Sequence, residues 1–107
     1  MSGDEHLGDP QRRAAWRRRL LGKGAEVASA LEAILSGKEV DLQTIGVAVK
    51  ASENVELRLR AFLDRIDRSI KAFDTEPWGR CRVCAQPFGA AALDETPWLE
   101  RCDRHEE

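Results

Sequence analysis

From Pro10 to about Ser36 the apolar residues Leu20, Leu21, Val27, Ala28, Leu31, Ile34 and Leu35 recur at three- and four-residue spacing, the period of an amphipathic helix. Asp9 suits the N-cap of that helix and Pro10 its first position, where no amide bond is lost. Gly22 and Gly24 weaken it locally, by about 1 kcal/mol each relative to Ala, and Gly37 stands where a left-handed C-cap is wanted. The stretch SGKEVD (36–41) reads as a turn, with Asp41 placed to cap a second helix from about Leu42 to Phe73. Along it Ile45, Val49, Ser52, Glu56, Leu59, Leu63, Ile66, Ile70 and Phe73 step 4-3-4-3, with polar residues at the third and fourth positions, and Phe62 widens the stripe. Two long helices joined by a few residues run antiparallel. The pattern therefore predicts a mostly α protein, a long two-helix coiled-coil hairpin of about 40 Å with its tip near 37–43.

Composition narrows the setting. The chain has 107 residues, 34% charged and only 6% aromatic, which fits paired helices with a small core. A formal charge of −2 excludes a uniformly basic coat for nucleic acid, though not local patches. No apolar run nears the ~18 residues of a membrane span, and MSGDEHLGDP lacks a signal-peptide pattern; a cytoplasmic monomer without membrane association is expected. Residues 1–8 read as a flexible polar end, 9–75 as the hairpin, and 76–107 as a separate small module.

All three cysteines lie in that last module. Cys81 and Cys84 form a CxxC, and Cys102 and His105 form a CxxH, with seventeen residues between the pairs. Two such pairs supply four soft donors for a tetrahedral ion, and the intervening Pro87, Gly89 and Pro97 suit a looped excursion between two knuckles. One structural Zn²⁺ is the prediction, because four protein donors leave no place for an activated water. An odd cysteine count argues against a disulfide framework. The competing readings are a redox-active CxxC, for which the βαβ context is missing, and a buried thiol beside an unrelated surface imidazole. His6 reads as a solvent-facing bystander.

The same residues carry a resemblance. IDRSIKAFDTEPWGRCRVCAQPFG (66–89), LDETP (93–97) and ERCDRH (100–105) resemble, in order, the helix end, first knuckle and last ligand pair of the DksA/TraR family of bacterial transcription regulators, with His105 in place of that family's fourth cysteine. The resemblance covers about residues 41–105. It implies a non-catalytic factor that binds bacterial RNA polymerase core through the secondary channel, presenting an acidic tip to the Mg²⁺-containing centre. Sequence-specific DNA binding is not implied. The family's tip pattern Asp-x-x-Asp-x-Ala falls on Lys38, Asp41 and Gln43, so one acid of two is kept, with Glu39 nearby. Asp41 serves equally well as a plain helix cap. Arg58 and Arg65 on the second helix could meet a phosphate or the channel rim, or form an ordinary solvated face. The resemblance leaves binding of the alarmone ppGpp open. The lack of the family's terminal helix after His105 argues against it.

Arg12, Arg13, Arg17, Arg18, Arg19 and Lys23 wrap the first turns of helix one as a basic collar, suited to an acidic partner, to nucleic acid, or simply to water. Trp16 lies inside this run, where it can pack on the metal module, and Trp78 and Trp98 flank the ligand pairs as a small core over the metal. An enzyme is not expected: there is no Ser/His/Asp set and no phosphate-cradling Gly loop. Beside the polymerase-binding reading stand two others, a zinc-module adaptor for nucleic acid and a thiol or zinc redox sensor.

Overall fold

The computed structural model describes residues 5–75 and 78–105; those at 1–4, 76–77 and 106–107, including the outermost ends of the expected N-terminal segment and metal module, lie outside them. Helix α1 spans Pro10–Leu35. The Asp9 carboxylate accepts the Gln11 amide at 2.9 Å, as an N-cap should. At the other end Gly37 takes φ 81°, its amide donating to Ile34 and that of Lys38 to Ala33, the left-handed cap that glycine adopts without Cβ strain. Neither Gly22 nor Gly24 interrupts the helix.

Helix α2 spans Val55–Ala72. It lies antiparallel to α1: Arg13 reaches the Phe73 carbonyl, and Gly24 faces Ile66. Buried Leu20, Val27 and Leu31 of α1 share one core with Leu59, Phe62 and Ile66 of α2. Each such side chain contributes about 1.5–3 kcal/mol by leaving water. Over 59–73 the expected seam is therefore present, with Leu63 and Ile70 partly buried beside it.

The long coiled coil is not. The second helix starts thirteen residues later than expected, because Asn54 caps it, its Oδ1 accepting the Leu57 amide at 3.1 Å. Residues 36–54 instead form an irregular strap that doubles back along α1 to Lys23, whose ammonium donates to the Ile45 carbonyl. Ile45 and Val47 are buried, and Val40, Leu42 and Val49 pack partly against the same core. Several residues explain the departure. Gly46 takes φ 71°, a conformation no helix contains. β-Branched Thr44, Ile45, Val47 and Val49 lose rotamer freedom in a helix. Ser52 and Glu56 leave the apolar seam open.

Helix α3 (Ala90–Glu95) sits inside the excursion between the ligand pairs. Among the described residues these three are the only α-helices. The described residues contain no strand, only an isolated antiparallel bridge between Arg80 and Pro87. Where the hairpin meets the last quarter of the chain, Trp78 lies 4.6 Å from the Phe73 ring and 5.5 Å from that of Trp16, with Phe88 and Leu93 completing the core. No helix among the described residues is long and apolar enough to cross a membrane.

Candidate metal centre

The first knuckle is a tight reversal. Cys81 donates its amide to Gln86 at 2.9 Å, and its carbonyl accepts the Ala85 amide at 2.8 Å. Ala85 sits at φ 62°, the left-handed region that costs a non-glycine residue about 1–2 kcal/mol. Strain of this kind persists only where neighbours hold it, and here the Arg80–Pro87 bridge closes the turn. The second knuckle is a 3-10 turn over Asp103–His105, in which the His105 amide donates to the Cys102 carbonyl. The Arg82 amide donates to the Glu100 carbonyl at 2.7 Å, joining the two knuckles.

This arrangement brings all four expected ligands together. Cys81, Cys84 and Cys102 Sγ and a His105 ring nitrogen lie within 4.8 Å of one another, a spacing at which one metal ion can touch all four. Cys84 and Cys102 sulfurs are 3.7 Å apart; His105 Nδ1 is 3.6 Å from Cys81 Sγ and 3.2 Å from Cys102 Sγ. Cys81 is buried, Cys102 and His105 are half-buried, and Cys84 is exposed. Burial opposes ionisation of Cys81, but backbone amides of the two knuckles and the Cys102 side chain outweigh it and bring the thiol down to about 5. The Gln86 amide favours the Cys84 thiolate, while desolvation and the Cys102 and Cys81 sulfurs act the other way and push that thiol up. A centre that stabilises a thiolate in this way favours a cation beside it.

The module is pinned to the hairpin by residues that local pattern did not single out. His6, read as a bystander, is half-buried: its Nε2 lies 2.6 Å from the Phe88 carbonyl, and its ring meets Trp16 edge-on. Glu5–Gly8 form a 3-10 turn rather than a loose end. Leu7 covers Gly79, at φ 82°, so closely that a Cβ there would lie 2.7 Å from its methyl. Trp16, expected on the module, donates its indole N–H to Asp94 of α3.

Four of the six collar residues bond to other parts of the chain. Arg13 donates to the Leu7 and Phe73 carbonyls and lies over the Phe73 ring at 4.4 Å. Arg19 donates to the Glu95 carbonyl at the end of α3, Lys23 holds the strap, and Arg12 pairs with Asp9. Arg17 and Arg18 are exposed. Trp78 is core, as expected, and half-buried Trp98 packs on Phe62.

The expected tip residues do not stand at the head of a second helix. Asp41 begins a turn within the strap, its Oδ1 accepting the Gln43 amide at 3.0 Å, so it caps a turn and not a helix. Lys38, Glu39, Asp41 and Gln43 are all exposed. Arg58 pairs at 4.0 Å with Glu53, and Arg65 donates to the Trp98 carbonyl and pairs with Glu100. Arg68 and Arg82 converge on the same carboxylate. Burial works against Glu100 ionising, but Arg68, Arg82 and Arg65 hold it below the usual carboxylate range. No family model, no curated protein and no solved structure matches the chain.

Proposed function

We propose that Cys81, Cys84, Cys102 and His105 hold one structural Zn²⁺, and that the protein is a non-catalytic factor that binds bacterial RNA polymerase. The four-donor cluster at the foot of an antiparallel helix pair is the observation that carries the reading. Tetrahedral zinc with bonds of about 2.3 Å to sulfur and 2.05 Å to nitrogen requires S···S edges of about 3.8 Å and S···N edges of about 3.6 Å. The Cys84–Cys102 and Cys81–His105 separations of 3.7 and 3.6 Å meet those values, and the Cys102–His105 separation of 3.2 Å would have to widen to receive the ion. Three thiolates and an imidazole suit zinc over the hard cations, which take oxygen ligands. With all four positions filled by protein atoms the ion would tie the knuckles together and activate no water.

The polymerase reading is supported by the order of three stretches, 66–89, 93–97 and 100–105, and by their attachment to paired helices. The strap alters how such a protein would dock. A bare two-helix rod can enter a narrow channel; here Ile45 and Val47 add a third segment to the pair. Contact through the sides of α1 and α2 at a channel entrance therefore fits this shape better than deep insertion of an acidic tip. The experiment is binding of the fluorescently labelled, zinc-loaded chain to purified bacterial core polymerase, with a secondary-channel cleavage factor as competitor. Saturable binding that the competitor displaces upholds the reading. Absence of binding at micromolar polymerase removes it and leaves the zinc centre standing. Asp41→Asn keeps the turn acceptor and removes the charge; weakened binding in that variant would restore a role for the tip.

A further inference from the structure

Beside the metal module, α2 and the segment 98–101 enclose a concavity of about 450 Å³. Arg58, Arg65, Arg68 and Arg82 line it, and among the described residues Glu100 is the one carboxylate in its wall. That carboxylate is shared three ways. Arg68 forks onto it with contacts of 2.8 and 3.3 Å, Arg82 reaches it at 2.8 Å, and Arg65 at 3.3 Å. The side chains of Arg65, Arg68 and Arg82 remain between 40 and 54% exposed, and a guanidinium has five N–H donors, more than one shared carboxylate takes up. Arg58 extends the row, lying over the Phe62 ring, its acidic neighbour Glu53 at the limit of pairing distance. Phe62, Trp98 and Leu99 supply an apolar wall.

The geometry points to a docking site for a carboxylate-bearing segment of a partner protein, one in which acidic residues alternate with apolar ones. Glu100 already shows the mode of binding: a planar guanidinium fork meets a carboxylate with two parallel donors. Among the described residues Arg65, Arg68 and Arg82 share the single carboxylate of Glu100, which leaves positive charge over, and a carboxylate from outside would answer it. The apolar wall would take the neighbouring side chains. A nucleic-acid backbone fits less well. Asp64 acts on Arg68 from its own helix, and further along α2 Arg60 and Lys71 are already paired with Glu56 and Asp67, so a run of phosphates along the helix would find no matching row of free positive charge beyond the concavity. The assignment rests on the chain acting by binding a protein, but not on polymerase being that protein, and it is tested without polymerase.

The test is an NMR titration of the ¹⁵N-labelled, zinc-loaded full chain at physiological salt with the peptide acetyl-Glu-Glu-Leu-Glu-Glu-Phe-amide. Its Gln-for-Glu counterpart and a ten-nucleotide single-stranded oligothymidylate are the comparison probes. We expect saturable shifts at the Trp98 indole N–H and the Arg65 and Arg68 Nε–H, with the Gln peptide at least ~10-fold weaker. Arg58→Glu, whose side chain carries little of the fold, should weaken the acidic peptide ~5-fold or more. Arg17→Glu with Arg18→Glu should leave it unchanged. Shifts confined to α1, loss of binding in the Arg17/Arg18 variant alone, or no saturation by about 1 mM peptide would overturn the assignment. Tighter binding of the oligothymidylate to these same residues would overturn it in favour of a phosphate backbone.

Discussion

The indole N–H of Trp16 donates to Asp94 Oδ1 at 2.8 Å across 78 positions of sequence, tying the second turn of the first helix to the short helix inside the metal module. Trp16 is 1% exposed, so its donor has no water to turn to if the acceptor is lost. Asp94→Ala should lower unfolding free energy by about 1–2 kcal/mol, the cost of an orphaned buried donor, whereas Asp94→Asn, which keeps the acceptor oxygen, should cost less than half of that. Urea denaturation of the three proteins decides it. Equal losses in both variants would mean that the charge, and not the hydrogen bond, is what matters.

Removal of the ion should melt one end of the molecule and spare the other. Cys84→Ser should lose stoichiometric metal, because structural sites couple binding to folding. The α1–α2 core of Leu20, Leu31, Leu59 and Ile66 contains no ligand, so most of the helical circular dichroism should survive chelation. Retention of one equivalent of zinc by Cys84→Ser, measured by elemental analysis, would refute the ligand set.

Acid should release the metal. The ligands bind as thiolates and as neutral imidazole, so protons compete with the ion and apparent affinity falls as pH falls. His105→Cys keeps four donors and should hold the ion, while His105→Ala, with three, should bind at least ~10-fold more weakly. A chromogenic chelator titrated against each variant from neutral to acidic pH reports both effects. An alanine variant matching the parent would place the fourth donor elsewhere.

The strap predicts a separable stability effect. Asn54→Ala removes the cap of α2 and should cost about 1 kcal/mol with no change in metal content. A hydrogen-exchange experiment should show faster exchange over the first turn of α2 and unaltered protection of the knuckles.

The clustering of the four donors was legible because it is carried by spacing along the chain, and spacing survives folding. The bounds of α1 were legible for a similar reason: Asp9, Pro10 and Gly37 act on their immediate neighbours. The strap was not, because Ile45 and Val49 continue the phase of the α2 seam, and the same apolar periodicity serves a helix or a segment laid against one. Asn54, a strong N-cap followed by Val55, Leu57 and Leu59, was the available sign. Arg13, Arg19, His6 and Asp94 were opaque for another reason. Each has a partner sixty or more positions away, and nothing local distinguishes an arginine over Phe73 from one in water.

The contacts between the start of the chain and the metal module also fix an order of assembly. His6 meets Phe88 across 82 positions, Trp16 meets Asp94 across 78, and Arg19 meets Glu95 across 76. A growing chain can pair α1 with α2 as soon as Phe73 has emerged, but Trp78, Asp94 and Glu95, the partners of Trp16 and Arg19 in its first turns, do not yet exist. Those turns, and the tryptophan between them, stay uncovered until the last quarter has been made and its knuckles have closed. On the proposed zinc reading, metal capture is the step that finishes the fold, and a cell short of the ion would accumulate chains with a formed helix pair and bare indole surface at its foot.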